Sequence, residues 1–108
     1  MENKNITIVS PVFVEKFIYS FDKTTFIKIA RTIDLLEYFG LGLKMPHSKK
    51  ICKDIYELRI HGRQEIRILY CFDNGRAFLS HGFIKKSDKI PKKEIETALA
   101  RFKDDLKI

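Results

Sequence analysis

Glu57, Arg59 and His61 occupy every second position of one stretch, and Glu65 and Arg67 repeat that spacing a few residues on. Alternate positions of a strand share a face, so the pattern gathers two guanidinium groups with carboxylates and an imidazole. A guanidinium presents a planar fork of N–H donors that matches phosphate oxygens in pairs. Beside such an anion, a general base works best when it titrates near neutral pH, and either Glu57 or His61 could serve. His61 reads equally well as a surface residue at the end of a hairpin. Lysines gather on both sides of this stretch. Lys85, Lys86, Lys89, Lys92 and Lys93 fall within nine residues, and Lys44, Lys49, Lys50 and Lys53 form a second basic loop ahead of Arg59. Lys92 and Lys93 are mildly unfavourable for the dipole of a helix starting there. Phosphate contacts are a natural use for such lysines, although a lysine run alone is often merely solvated.

Overall charge points the same way. Twenty-one Lys and Arg against fourteen Asp and Glu leave a net +7, with an isoelectric point near 9.5, which suits a polyanionic partner. Other chemistries lack their signatures. There is no zinc-binding His-Glu-x-x-His, paired-Asp cluster, Gly-x-Gly-x-x-Gly or P-loop, so no metal site and no cofactor is expected. His47 and His81 read as structural or solvated. Cys52 and Cys71 stand nineteen residues apart without a Cys-x-x-Cys or nearby His ligand, and read as two buried, reduced thiols.

The elements that must position these groups follow from periodicity. Ile6-Thr7-Ile8-Val9 is β-branched and reads as a strand. Ser10-Pro11 suits a helix start, with Ser as cap and Pro in the first turn, and Phe13, Phe17 and Phe21 recur every four residues along that helix. Asp22 or Thr24 can cap a second helix carrying Phe26, Ile29, Ile33 and Leu36, with Gly40 at its end. From residue 55 the period becomes two. Tyr56, Leu58 and Ile60 face one way, as do Ile66, Ile68, Tyr70 and Phe72, and Asn74-Gly75 suits a type I′ hairpin turn into a third strand ending near Lys85. A last helix opens at Pro91 and is expected to bury Ile95, Leu99, Phe102 and Leu106. The order is β-α-α-β-β-β-α, an α+β fold with the helices packed on one face of a small, mainly antiparallel sheet.

Register then places the arginines. With Leu58 and Ile68 both in the core, a loop of Gly62-Arg63-Gln64 pairs Ile60 with Ile66 and sets Arg59 directly opposite Arg67. Like charges opposite one another destabilise a plain sheet, so the pair makes more sense beneath an anion. Continuing through the Asn74-Gly75 turn sets Arg67 opposite Gly82, puts Lys86 on the arginine face, and sends His81, Phe83 and Lys85 to the other.

Several of these stretches, in this order, resemble the HigB-like, phage-associated branch of the RelE/ParE toxin superfamily. They are Leu35-Leu36-Glu37-Tyr38-Phe39-Gly40, Ile55-Tyr56-Glu57-Leu58-Arg59-Ile60 and Ile66-Arg67-Ile68-Leu69-Tyr70, followed by Leu79-Ser80-His81-Gly82-Phe83-Ile84-Lys85-Lys86 and Pro91-Lys92-Lys93-Glu94-Ile95. The likeness covers about residues 10 to 102 and implies one RelE-like domain over 1–108. It implies cleavage of mRNA, usually in the ribosomal decoding site, held in check by a cognate antitoxin. By the same resemblance the Glu-Leu-Arg motif points to Arg59, the arginine before the hydrophobic strand tail to Arg67, and Phe-x-Lys-Lys to Lys85 and Lys86. Metal-free RNA cleavage needs the 2′-OH deprotonated, the phosphorane charge stabilised and the leaving 5′-oxygen protonated. Arg59, Arg67 and Lys86 suit the second task, and Glu57 or His61 the first. Lys49, Lys50, Lys53, Lys85, Lys89, Lys92 and Lys93 would hold RNA. The chain departs from the family at two points. Ile90 stands where members usually carry a helix-capping Thr, and after Lys86 the only aromatic is Phe102, which lacks the hydroxyl that some of these ribonucleases use.

No apolar run is long enough to span a bilayer, and Met1-Glu2-Asn3-Lys4 has no signal-peptide character, so a cytoplasmic protein without a membrane partner is expected. Two other functions fit the same fold, which by itself does not choose between them. One is a ParE-like toxin that blocks gyrase by protein contact. The other is an inactive phage remnant that only binds an antitoxin.

Overall fold

From Ile66 to Phe72 only Arg67 interrupts an apolar run, and a strand apolar on both sides must be covered on both. The computed structural model describes residues 6–107, so the Met1-Glu2-Asn3-Lys4 stretch lies outside the described residues. The chain runs β1 (Thr7–Val9), α1 (Val12–Tyr19), α2 (Lys23–Phe39), a 3-10 turn (Gly40–Gly42), β2 (Ser48–Cys52), β3 (Ile55–Ile60), β4 (Ile66–Asp73), β5 (Arg76–Ile84) and α3 (Lys92–Leu106). The sheet is open, with order β1-β5-β4-β3-β2. β1 lies parallel to β5 and every other neighbouring pair is antiparallel.

This mixed α+β fold corrects the expectation of helices on one face. Val14 and Ile18 of α1 and Ile29 and Leu36 of α2 pack with Leu58, Ile60, Ile68 and Tyr70 on one side of the sheet. On the other side, Ala98, Ile95, Leu99 and Phe102 of α3 pack with Ile55, Leu69, Cys71 and Phe83. Leu69 and Cys71 are the cause, since both are fully buried and would otherwise lie bare. Leu106, expected in that core, is exposed at the end of α3.

A second correction concerns β2, which was expected to be a basic loop. It carries only five residues, Ser48-Lys49-Lys50-Ile51-Cys52, with too little alternation to announce a strand. Lysines on an outer strand are usual, because they discourage pairing with other chains. Ser48 anchors the strand, being buried and hydrogen-bonded through its hydroxyl to that of Tyr70. Cys52, expected to be buried, is exposed at the irregular end of β2, whereas Cys71 is buried. Burial pushes the Cys71 thiol up to about 12, which leaves it un-ionised and unreactive at neutral pH.

The local signals were obeyed closely. Asp22 caps α2 by accepting from the Thr25 amide at 3.2 Å, and Gly40 ends it with φ 57°. Asn74 and Gly75 both take positive φ, at 49° and 75°, as a type I′ turn demands. α1 begins one residue later than expected. Pro11 rather than Ser10 occupies its cap, and the Pro11 carbonyl accepts from Val14 and Glu15 at 3.0 Å.

Candidate functional site

Leu58 pairs with Ile68 and Arg59 with Arg67 on β3 and β4, as hydrophobic patterning required. The β5 register differs from expectation beyond Leu79. Ser80 forms a bulge, so His81 pairs with Leu69, Gly82 with Ile68 and Phe83 with Arg67. The extra residue is satisfied by α3. Ser80 is fully buried, its hydroxyl donates to the Ala98 carbonyl, and its own carbonyl accepts from Arg101 at 3.2 Å. One inserted residue exchanges the faces of everything after it. His81, Phe83 and Lys85 therefore lie on the arginine side, where Lys86 had been expected. Gly82 turns to the helices, and a Cβ there would sit 2.3 Å from Cδ2 of Phe17. Its lack of a side chain makes room for α1, not for a ligand.

The two opposed arginines sit in different surroundings. Arg67 is only 2% exposed, beneath the surface rather than on an open face. Its Nε donates to Glu57 Oε2 at 3.1 Å, and its Nη1 donates to Glu65 Oε1 and to the Ile66 carbonyl, each at 3.1 Å. Glu57, itself buried, thus lies between the arginines, with its Oε1 3.6 Å from Arg59 Nε. This carboxylate is the physical answer to the like-charge problem that the register posed. Glu65 also meets His61 Nδ1 at 2.8 Å. Partial burial works against its ionisation, but hydrogen bonds from His61 and Arg67 outweigh that and hold the Glu65 carboxyl below its ordinary value. Period-two spacing already put Glu65 on the face of Arg67, so this link was readable in the sequence.

Arg59 reaches the surface. Its side chain is 21% exposed and its Nη1 lies 3.1 Å from Met45 Sδ, a weak acceptor. Its Nε is buried 3.6 Å from Glu57 Oε1, without a hydrogen-bond partner among the described residues. Arg59 lines a cleft of about 320 Å³ between β2, β3 and the β5–α3 connection, together with Lys49, Glu57, Lys85, Asp88 and Lys89. Four cations thus surround one space against two carboxylates, an arrangement that can hold an anion with several oxygens. Ile90 lines the same cleft and packs against the second core, so the position where a capping residue was expected joins β5 and α3 instead. α3 starts with no side-chain cap.

Of the side chains singled out from the sequence, the cleft brings together Glu57, Arg59, Lys49, Lys85 and Lys89. Arg67 lies beneath it. His61 lines a separate hollow on the α2 side. Lys50, Lys53, Lys86, Lys92 and Lys93 are exposed and do not line the cleft. Lys50 instead places its Nζ 5.8 Å from the Tyr56 ring. Lys85 donates to the carbonyls of Ser87 and Asp88 at 2.7 and 2.9 Å, which holds its ammonium at the connection.

His81, read from the sequence as structural or solvated, meets two residues of α3. Its Nε2 lies 2.6 Å from Glu94 Oε1, and its Nδ1 lies 3.2 Å from Arg101 Nη1. Arginine can only donate, so Nδ1 accepts and Nε2–H donates to Glu94. With Arg101 stacked over the Phe13 ring at 4.0 Å, this cluster ties α3 to the bulge. Among the described residues there is no group of three or more His, Cys, Asp or Glu able to hold a metal ion, and no helix is long and apolar enough to cross a membrane.

The chain belongs to the family described as phage derived protein Gp49-like (DUF891), whose model matches residues 16–103. That family lies within the RelE/ParE-like toxin superfamily. Membership is consistent with the toxin of a toxin–antitoxin pair and implies a cognate antitoxin as partner. No curated protein matches the chain.

Proposed function

We propose that the chain is one toxin domain of the HigB-like branch, from a type II toxin–antitoxin system, and that it is a metal-independent endoribonuclease cutting mRNA on the ribosome in the cytoplasm. The observation that carries this reading is the cleft in which Arg59 stands beside Lys49, Lys85 and Lys89. A phosphodiester seated there would be bridged by the guanidinium and the ammonium groups. The adjacent 2′-oxygen attacks phosphorus, its proton passes to a base, the bond from phosphorus to the 5′-oxygen breaks, and that oxygen takes a proton. Negative charge grows on the non-bridging oxygens, where fixed donors act most strongly. Glu57 is the sequence-chosen base that lines the cleft, and His61 would need the RNA to pass over the Arg59 rim. Lys50, Lys53, Lys86, Lys92 and Lys93 would draw RNA or ribosome in from solution by long-range attraction. The antitoxin would cover the cleft with an acidic segment.

The test is brief induction in cells followed by mapping of transcript 5′ ends. Wild-type chain should arrest growth and create new ends, and co-expression of the antitoxin should prevent both. Growth arrest with no new ends would overturn the nuclease reading, and a simultaneous change in DNA supercoiling would assign the toxicity to a protein target.

A further inference from the structure

Arg59 lines two clefts. The second, also about 320 Å³, lies on the α2 side and is lined by Lys28, Arg31, His47, Arg59 and His61. No carboxylate lines it, although Glu65 hydrogen-bonds His61 at its margin. Its geometry has a local cause. Lys28, Arg31 and Leu35 are spaced i, i+3 and i+7 on α2, so they form one stripe along the helix. The His47 carbonyl accepts from the Arg59 amide at 2.8 Å, which fixes the loop ahead of β2 against β3 and completes the opposite wall. The Lys28 ammonium lies over the hairpin end, 2.9 Å from where a Cβ on Gly62 would stand. Leu35 and Pro46 add apolar surface between the cations, which suits a ligand with alternating charged and flat apolar parts.

We infer that this second cleft is a binding site for the nucleotides flanking the cleaved phosphate, so that a single RNA strand crosses Arg59 from one cleft into the other. The inference rests on the nuclease reading of the first cleft and adds to it the residues that hold nucleotides beyond the cut. Lys28 and Arg31 hold flanking phosphates, and neither residue was suggested by the strand pattern because both lie on a helix. On this inference the strand rounds the rim of the sheet at Arg59, the one lining residue the two clefts share.

The experiment uses 2′-O-methyl oligoribonucleotides of two and eight nucleotides, which lack the attacking hydroxyl, so binding is read whether or not the protein cleaves. Lys28→Gln/Arg31→Gln alters exposed helix positions, and circular dichroism verifies its fold. Loss of two single-strand phosphate contacts should reduce the slope of log affinity against log salt by about 1.4 for the octamer. Between 50 and 200 mM salt the wild type should then lose about sevenfold more affinity than the variant. Dinucleotide binding should be unchanged. An unchanged octamer slope, or an equal loss for both lengths, overturns the inference. Lys85→Gln/Lys89→Gln in the first cleft separates the two readings. If only that pair weakens the octamer, the second cleft is refuted and the first stands; if neither pair does, RNA binding at both clefts is refuted.

Discussion

The inner part of the arginine face and its rim use the same chemistry under different degrees of burial. Inside, Arg67 spends its guanidinium on Glu57, Glu65 and a backbone carbonyl. At the rim, Arg59 has, among the described residues, a thioether at 3.1 Å and a carboxylate oxygen at 3.6 Å. A fully desolvated charge must be matched by local partners or it opposes folding. A partly solvated charge is tolerated unmatched and so stays available to a ligand. The register makes the two residues equivalent neighbours, but what lies above each one makes Arg67 a support and Arg59 a candidate contact.

Removing each arginine should separate these roles. Arg67→Ala leaves the buried Glu57 carboxylate facing one distant guanidinium, and should destabilise the protein by about 3–5 kcal/mol, read by urea unfolding. A variant as stable as wild type would erase the distinction between interior and rim. Arg59→Ala should change stability by less than about 1 kcal/mol. Its RNA cleavage rate should nevertheless fall on the order of 100-fold, about 3 kcal/mol of barrier, in a purified RNA assay. Retained cleavage would move the site away from the rim.

Gly82→Ala sharpens the contrast between the two faces of the sheet. Its Cβ would collide with the Phe17 ring, so a loss of about 1–3 kcal/mol is expected from overpacking. Phe17→Leu in the same chain should recover part of it. If Gly82→Ala instead kept full stability and lost RNA binding, the glycine would belong to the arginine face. The smallest effect belongs to Glu65, which links both regions. Its folded-state pKa is lowered, so its contribution is present above the unfolded value near 4.5 and is lost as pH falls through the folded value. Because Glu65 is 43% exposed on its side chain, that contribution should stay under about 1 kcal/mol. Comparing wild type with Glu65→Gln by thermal melts from pH 3 to 6 should show the acid limb flattened in the variant. Identical limbs would mean the Arg67 and His61 contacts do not persist in solution.

What the sequence determined by itself is what depends on neighbours along the chain. The Asn74-Gly75 turn, the Asp22 cap, the Gly40 stop and the β3–β4 register each rest on a few adjacent residues or on a two-residue period. The pairing of Arg59 with Arg67 was legible for that reason, because shifting it would have turned Leu58 or Ile68 out of the core. What only the tertiary structure decided depends on what packs above a residue. α3 docks on the arginine side because Leu69 and Cys71 must be covered. Ser80 bulges because α3 offers its hydroxyl a carbonyl and its carbonyl a guanidinium, and that single residue exchanges Lys86 for Lys85 at the cleft. β2 is a strand because β3 leaves it an edge to pair with and Ser48 reaches Tyr70, not because its own residues alternate. Lys28 and Arg31 come to line one cleft with Arg59 only once α2 lies against β3. No local pattern carries these partners, since each lies far along the chain and is brought near by burial of the two cores.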